Sequence, residues 1–175
     1  SEMFGCCGWD VTPQELKKIT ESQYVAGVNI MCQHLYPYSE RGQRKRDYPA
    51  HYSGHLPWHS ELAGFNEYHN RLGYTLAQGK EIAPVLVLHP IHSCWLNYKR
   101  EIDGPSVAEL DASVRQVISR LYDRHVAFHF GDEDIMARHA SVNNGKLRVG
   151  EIEYSAVVLP KVFSLDHSTA KLLKE

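Results

Sequence analysis

Short apolar runs that alternate with helix-forming segments constrain the fold of this chain more than any other feature. The runs 83–90, 126–130 and 156–160 are almost wholly apolar, and a strongly amphipathic segment, 106–123, separates the first two. Strands that are apolar throughout are typical of parallel sheets with helices on both faces. The sequence from about residue 79 onward therefore predicts a parallel, doubly wound α/β domain.

Smaller elements are expected between these runs. The stretch 89–104 is interpreted as a loop. The run Asp132-Glu133-Asp134 is predicted to cap the start of a short helix, because the helix dipole favours acidic residues there. Short strands are predicted at 147–149 and 152–154, and a last helix begins at Asp166 or Ser168.

The first half of the chain begins with a strand end and a helix. Met3 and Phe4 are interpreted as the end of a strand. Thr12 and Glu15 have the spacing of a capping box with a proline between them, which predicts a helix that ends at Gly27.

A second strand and helix are separated by a long irregular stretch. The apolar run 28–32 predicts a buried strand, and 61–78 predicts a helix that stops at Gly79. Residues 33–60 lack periodicity but are rich in rings and prolines, which favours a functional loop over disorder. The change in character after Gly79 divides the chain into two predicted pieces, 1–78 and 79–175.

Composition excludes several classes of function. The net charge is −2 and the pI about 6.6, so no basic surface for nucleic acid is expected. The basic cluster at 41–46 is short and is followed by Asp47, which is typical of a solvated loop. No apolar run approaches the ~20 residues that span a bilayer, so no membrane segment is expected.

The cysteine and histidine spacings predict neither a disulfide framework nor a metal site. The four cysteines fit neither pattern, so free thiols in a reducing, cytoplasmic compartment are expected. His51, His55 and His59 would share a face only on a helix, which Gly54 and Pro57 oppose. His89 and His92 with Cys94 lack a fourth ligand. We therefore predict no metal and no other cofactor.

Several stretches resemble known carbohydrate-cleaving enzymes. The strings Glu2-Met3-Phe4-Gly5, Gly27-Val28-Asn29 and His34-Leu35-Tyr36 resemble strands seven and eight of a glycoside hydrolase (β/α)8 barrel. The segments 83–95, 126–128 and 156–160 are similar to the domain that follows the barrel in family 42-type β-galactosidases and family 106 α-L-rhamnosidase-like glycosidases. That domain is folded like class I glutamine amidotransferases. The resemblance implies the last βα units of a barrel over 1–78 and a partial flavodoxin-like α/β domain over 79–175.

The resemblance assigns roles to a few residues. Glu2 matches the strand-seven carboxylate that is the nucleophile in retaining members, and His34 matches a position that contacts sugar hydroxyls. Trp9, Tyr36 and Tyr38 would line the sugar site, since aromatic rings stack on sugar C–H faces. A glycosidase needs two carboxylates about 5–9 Å apart. The strand-four acid lies outside this chain, so the chain is expected to supply one carboxylate and to be inactive alone.

Structural alternatives stay open for each of these residues. Glu2 also fits an exposed residue at a frayed terminus, and His34 fits a hydrogen-bonded structural histidine. Trp9 and Tyr36 also fit ordinary packing under a long loop. Cys94 follows the first strand of its domain, which is the wrong strand for a glutaminase nucleophile, so that activity is not implied.

Two non-catalytic functions remain as alternatives for the second piece. One is a flavodoxin-like module for oligomerisation, and the other is a small-molecule site at the carboxyl ends of the strands. No Gly-x-Gly-x-x-Gly turn follows 85–88, so a dinucleotide is not expected. Exposed sheet edges of a partial barrel predict self-association into a homo-oligomer.

Overall fold

The protein is a mixed α/β molecule with parallel sheets and helices, as the predicted α/β class requires. A computed structural model describes residues 1–34, 36–37, 39, 41–42, 51–100 and 105–175, except for the side chains of residues 105 and 106. The described residues form two compact units, Ser1–Lys80 (unit 1) and Glu81–Glu175 (unit 2). Each unit has its own hydrophobic core.

Unit 1 consists of two very short strands and two helices. Its elements in chain order are strand β1 (Glu2–Met3), helix α1 (Pro13–Val25), strand β2 (Cys32–Gln33), a 3₁₀ turn (His59–Glu61) and helix α2 (Leu62–Leu76).

The strands of unit 1 pair in parallel, with Glu2 beside Cys32 and Met3 beside Gln33. The strand predicted over 28–32 is therefore wrong for residues 28–31. The carbonyl of Ile30 accepts a hydrogen bond from the terminal amine of Ser1 at 2.7 Å.

Helix α1 begins at the predicted capping box. The hydroxyl of Thr12 accepts from the backbone N–H of Glu15 at 3.3 Å, and the Glu15 carboxylate accepts from the backbone N–H of Thr12 at 2.8 Å. Proline occupies the first turn, where its missing N–H leaves no bond unmade. After the helix, Gly27 has a φ of 92°, a left-handed conformation that favours glycine.

The core of unit 1 lies on one side of its strand pair. Met3 is buried and packs in a cluster with Leu16 of α1, and Phe65 of α2 borders that cluster. Part of the predicted ring-rich loop belongs to this core, because Tyr52 and Leu56 are buried in it. Residues 43–50 of that loop lie outside the described part of the chain.

Unit 2 is built on a three-stranded parallel sheet. Strand β3 (Val85–Leu88) lies in the centre, between β4 (Phe128–Gly131) and β8 (Ala156–Val158). All three strands were predicted from their apolar runs. The helices of unit 2 are α3 (Ile91–Asn97), α4 (Pro105–Tyr122), α5 (Glu133–His139) and α6 (His167–Leu172).

The parallel sheet predicted from the three apolar runs is confirmed. Unit 2 also has a second, separate sheet of three antiparallel strands after α5: β5 (Ala140–Asn143), β6 (Lys146–Val149) and β7 (Ile152–Tyr154). Strands β6 and β7 were predicted, but β5 was not. Asn144 and Gly145 join β5 to β6 with φ values of 51° and 72°, and positive φ at both central residues is typical of a tight hairpin turn.

The loop predicted over 89–104 is also wrong in its first part. Ile91–Asn97 form helix α3, whose N-terminal cap residue is Pro90. Ser93 on this helix is fully buried. The core of unit 2 includes Leu86 and Leu88 of β3 and Met136 of α5. Among the described residues of both units, no helix is long and apolar enough to cross a membrane.

Candidate functional site

The ends of β1 and β2 bring two predicted site residues together. Oε1 of Glu2 lies 3.8 Å from Nε2 of His34. His34 directly follows β2, and its backbone N–H donates to the carbonyl of Met3 at 2.7 Å. This bond continues the parallel pairing by one residue and fixes the histidine beside the end of β1.

Glu2 lies on the side of the strand pair that faces away from the core. Successive side chains of a strand point to opposite faces, and Met3 is buried in the core. Glu2 and its register partner Cys32 therefore share the other face, and both are exposed. The Glu2 side chain is 70% exposed, whereas that of His34 is only 11% exposed.

Gly5 allows the His34 ring to lie close to the backbone. A Cβ atom on Gly5 would be 3.3 Å from Cδ2 of His34. Nδ1 of His34 is buried, and it has no hydrogen-bond partner in the described part of the chain. Within the described residues, the imidazole is thus held by packing and not by a hydrogen bond of its ring.

The structure describes two of the three aromatic residues that were predicted to line a sugar site. Trp9 is 41% exposed, and its ring packs edge-on against that of His51, with 5.5 Å between the ring centroids. Tyr36 is largely exposed. Among the described residues, neither ring makes a hydrogen bond or ring contact with Glu2 or His34. Tyr38 lies outside the described residues.

A cavity of about 610 Å³ lies between β2 and helix α2. Its polar lining is mostly amide, including Gln33 and Asn66, whose side chains hydrogen-bond to each other at 2.7 Å. His69 also lines it, with Nε2 buried and without a partner in the described part of unit 1. Cavities of this size hold small molecules.

A second group of titratable side chains lies in unit 2, and we call His92, Glu133 and Asp166 the His92 cluster. His92 is in the first turn of α3, just after β3, and Glu133 begins α5 directly after β4. Asp166 follows β8 and is the N-cap residue of α6. All three therefore follow the carboxyl ends of parallel strands, where α/β sheets place their ligands.

Short distances join the members of the cluster. Nδ1 of His92 lies 3.0 Å from Oδ2 of Asp166 and 3.9 Å from Oε1 of Glu133. On the other side of the ring, Nε2 is 3.9 Å from Oδ2 of Asp134, which is exposed. In the described part of the chain, the cluster is the only group of three potential metal ligands with its donor atoms within 4.8 Å of one another.

Backbone hydrogen bonds fix the cluster in place. Oε2 of Glu133 accepts from the backbone N–H of Asp166 at 2.8 Å. The buried hydroxyl of Ser93 accepts from the N–H groups of Phe163 and Ser164, both at 3.1 Å, which ties the segment before Asp166 to helix α3. Three hydrogen bonds thus hold this segment at the end of the sheet.

The negative charges of the cluster favour a cation beside its carboxylates. The hydrogen bond with Asp166 raises the pKa of His92 above its usual value, although partial burial opposes the shift. The Trp95 ring covers the imidazole, with 5.2 Å between ring centroids. Glu133 is only 1% exposed, which is rare for a carboxylate without a cationic partner.

Cys94 does not have the properties of a nucleophile. Burial raises the pKa of its thiol, and the nearby charge of Asp111 raises it further. Reactive cysteines show the opposite shift. Residues 51–58 are not helical, so His51 and His55 do not share a helix face, as predicted.

In the described part of unit 2, one other histidine is bonded to a carboxylate. Nε2 of His129 lies 3.1 Å from Oε2 of Glu81, and Nδ1 lies 2.9 Å from the hydroxyl of Tyr154. Burial raises the pKa of the Tyr154 phenol. Because Glu81 is exposed and no further metal-capable group is near, this pair is a useful reference for the His92 cluster.

Sequence reasoning missed the His92 cluster as a site. It assigned His92 to a loop and treated Glu133 as part of a helix cap. The cap itself is confirmed for Asp132, whose side chain accepts from the backbone N–H of Ile135 at 3.0 Å. The available signal was position, because each cluster residue follows a predicted strand of a parallel sheet.

The chain matches no family model and no curated protein. Functional inference therefore rests on the geometry of these two places, not on relatives.

Proposed function

We propose that unit 1 is the last part of a glycoside hydrolase barrel and that Glu2 is one of the two carboxylates that cleave the glycosidic bond. The observation that carries this proposal is the approach of Glu2 to His34 at the carboxyl ends of two parallel strands. In (β/α)8 barrels, catalytic groups occupy that end of the strands.

The side of the strands on which Glu2 lies supports the same proposal. In a barrel, helices cover the outer face of the strands, and active-site groups project from the helix-free face at the carboxyl ends of the strands. Met3 packs towards the helices of unit 1, and Glu2 lies on the opposite face. This position would place Glu2 at the mouth of a barrel, next to the substrate.

On this proposal, each residue has a defined role. Glu2 attacks the anomeric carbon of the sugar, and an acid from another strand protonates the leaving oxygen. His34 donates a hydrogen bond to a sugar hydroxyl. Trp9, Tyr36 and Tyr38 provide rings for the sugar faces. Carbohydrate is thus the proposed substrate class, and the second carboxylate belongs to a part of the barrel outside this chain.

The sheet order of unit 2 supports a flavodoxin-like continuation. Its first strand, β3, is central, with the second strand, β4, on one side and β8 on the other. This is the order in which flavodoxin-like sheets begin, whereas the dinucleotide-binding fold places its second strand in the centre of the first three. The antiparallel strands β5–β7 would be an insertion in such a domain.

The second candidate function is a non-catalytic module that associates through unit 2. Its support is a group of exposed apolar side chains on and near α3: Trp95, Leu96, Tyr98 and Phe163. Such side chains on a soluble surface often mark interaction sites.

The test of the catalytic proposal uses the longer protein that it requires, assayed on aryl glycosides. Glu2→Ala should reduce kcat at least about 10³-fold, because the covalent step is lost. Added azide should restore turnover by attacking the anomeric carbon in place of the carboxylate. Glu67→Gln, which removes an exposed carboxylate paired with Arg71, should leave kcat unchanged.

Azide distinguishes a nucleophile from a positioning residue. If Glu2→Ala retains full activity, Glu2 has no part in the mechanism. If activity is lost and azide does not restore it, Glu2 is not the nucleophile. The oligomerisation module becomes the better explanation if the unmodified longer protein does not hydrolyse aryl glycosides and light scattering shows a stable oligomer.

A further inference from the structure

We propose that the His92 cluster binds a divalent first-row transition-metal ion through Nδ1 of His92 and one carboxylate oxygen each from Glu133 and Asp166. This site is in unit 2 and is independent of the proposed role of Glu2. It also revises the prediction, made from spacing alone, that the chain has no metal site.

The donor set suits such an ion. Imidazole nitrogen is a ligand for zinc and the other later transition metals, and carboxylate oxygen suits manganese and zinc alike. A magnesium or calcium ion would favour a site made of oxygen alone. Three protein ligands leave positions for water, as in metal sites that are open to solvent.

The distances allow one ion to bind all three groups. Two ligands that are each about 2.0–2.2 Å from a zinc ion can be at most about 4.4 Å apart. The His92 nitrogen lies 3.0 Å from Asp166 and 3.9 Å from Glu133, within this limit. No pair of donor atoms is more than 4.8 Å apart, so a small side-chain rotation closes the site.

The buried carboxylate of Glu133 points independently to a ligand. Its Oε2 accepts from the backbone N–H of Asp166. Its Oε1 has no hydrogen-bond donor among the described residues, because the single N–H that Nδ1 of His92 can carry is directed to Asp166 at 3.0 Å. Burying a carboxylate with one unpaired oxygen is unfavourable unless a cation compensates it.

The local charge balance leads to the same conclusion. Three carboxylates, those of Glu133, Asp134 and Asp166, lie within 4.0 Å of one imidazole. In the described part of unit 2, no lysine or arginine side chain pairs with any of them. Even a protonated His92 would balance only one of these three carboxylates, so the cluster keeps an excess of negative charge without a further cation.

The surroundings also hold the ligands in position before an ion arrives. The hydrogen bonds of Ser93 and Glu133 to the 163–166 segment restrict Asp166. With Nδ1 on the metal, the proton of the neutral ring would be on Nε2, on the side of Asp134. Metal-bound histidines commonly direct this second N–H towards a carboxylate or water.

The test is a calorimetric titration of the whole chain after chelator treatment and dialysis, with Zn²⁺, with Mn²⁺, and with Mg²⁺ as the hard-ion control. We expect one tight Zn²⁺ or Mn²⁺ ion per chain, with a dissociation constant below roughly 10 μM, and much weaker Mg²⁺ binding. The binding should raise the thermal unfolding midpoint, because the ion binds the folded state.

Matched variants show whether the cluster holds that ion. Glu133→Gln keeps an oxygen for the Asp166 N–H but loses the charge, and Asp166→Asn is similarly conservative. Each should weaken binding at least about tenfold. Glu81→Gln, at the reference pair with His129, should bind like the unmodified protein. This control matters because the chain has 11 histidines that can bind zinc weakly.

Two results would overturn the proposal: absence of saturable one-to-one binding up to about 1 mM ion, or unchanged binding in both cluster variants. Circular dichroism checks that each variant is folded. If Glu133→Gln does not fold, Asp166→Asn decides the question. A Co²⁺ visible absorption band that is present in the unmodified protein and lost in the decisive variant gives a second readout.

Discussion

The two units each place an imidazole beside a carboxylate at the carboxyl end of parallel strands, but they hold these groups in opposite ways. In unit 1, Glu2 is 70% exposed and lies 3.8 Å from His34, with no hydrogen bond to fix it. In unit 2, Glu133 is 1% exposed and accepts a backbone hydrogen bond, and Asp166 bonds directly to His92.

This difference shows which pair requires a partner. An exposed carboxylate stays solvated, so Glu2 contributes little to folding. A buried carboxylate has lost its water and needs compensation in the folded state. The geometry of unit 2 by itself therefore argues for a bound ligand, whereas the geometry of unit 1 does not.

Two glycines beside these sites provide the largest test of the contrast. Gly131 ends β4, next to the start of the helix that carries Glu133, and a Cβ there would lie 2.7 Å from Cδ2 of Leu86 and 3.0 Å from Sδ of Met136. Both neighbours are almost fully buried and cannot move freely. Gly131→Ala should lower the free energy of unfolding by about 1–3 kcal/mol.

Gly5→Ala provides the comparison in unit 1. Its added Cβ would lie 3.3 Å from Cδ2 of His34, so that ring would have to move by only a few tenths of an ångström. We expect a loss below about 0.5 kcal/mol. Hydrogen exchange measured by mass spectrometry can follow 85–88 and 128–131 separately from unit 1. Equal losses in the two variants would mean that the two sites are equally rigid.

The sequence predicted the elements whose signals are local. The Thr12–Glu15 spacing located the start of α1, and the apolar runs located β3, β4 and β8. It missed β5 because Ala140–Asn143 is an edge strand of four residues, and its alternation rests on only two apolar side chains, Ala140 and Val142. Asn144-Gly145 was an available hairpin signal. Helix α3 was missed because Ile91–Asn97 is short and follows a proline.

Sites were harder to predict than elements because they depend on distances between remote segments. Parallel-sheet topology implies that His92, Glu133 and Asp166 gather at one edge. Only the three-dimensional structure shows that the hydroxyl of Ser93 brings the 163–166 segment back to α3. No local pattern indicates that Glu133 is buried, since acidic residues at a helix start are usually solvated.

Thiol chemistry provides a second, smaller test of how open the two sites are. Cys32 is exposed on the face of Glu2, whereas burial raises the pKa of Cys94, which lies two residues after His92. Because the thiolate is the nucleophile, iodoacetamide should label Cys32 several-fold faster than Cys94. Peptide mass spectrometry after timed quenching measures both rates in one sample.

The neighbouring pair Cys6 and Cys7 serves as an internal control for that experiment. Cys6 is exposed, and burial raises the pKa of Cys7, so Cys6 should be labelled first. Equal rates for Cys32 and Cys94 would contradict the structure around α3, because they would require an open and reactive thiol beside the His92 cluster.

The smallest expected effect is on how the stability of unit 1 depends on pH, through the Glu15 cap of helix α1. Hydrogen bonds from Thr12 lower the pKa of Glu15 below 4.5, so the charged Glu15 stabilises the folded state. This contribution is present above the unfolded-state pKa and is lost as the pH falls through the lowered folded-state pKa. Glu15→Gln retains a capping side chain without the charge. The unmodified protein should therefore be slightly more stable than Glu15→Gln at pH 7, and this gap should close well below pH 4.5.

A Trp95→Phe background makes this measurement specific to unit 1, because the remaining indoles, Trp9 and Trp58, both belong to that unit. Trp58 borders the core of unit 1, and its ring N–H donates to the carbonyl of Val11 beside the cap. Unfolding in urea, monitored by tryptophan fluorescence, thus reports on the region around the start of helix α1. A gap that stays constant from pH 7 to strongly acidic solution would show that the charge of Glu15 is not what stabilises α1.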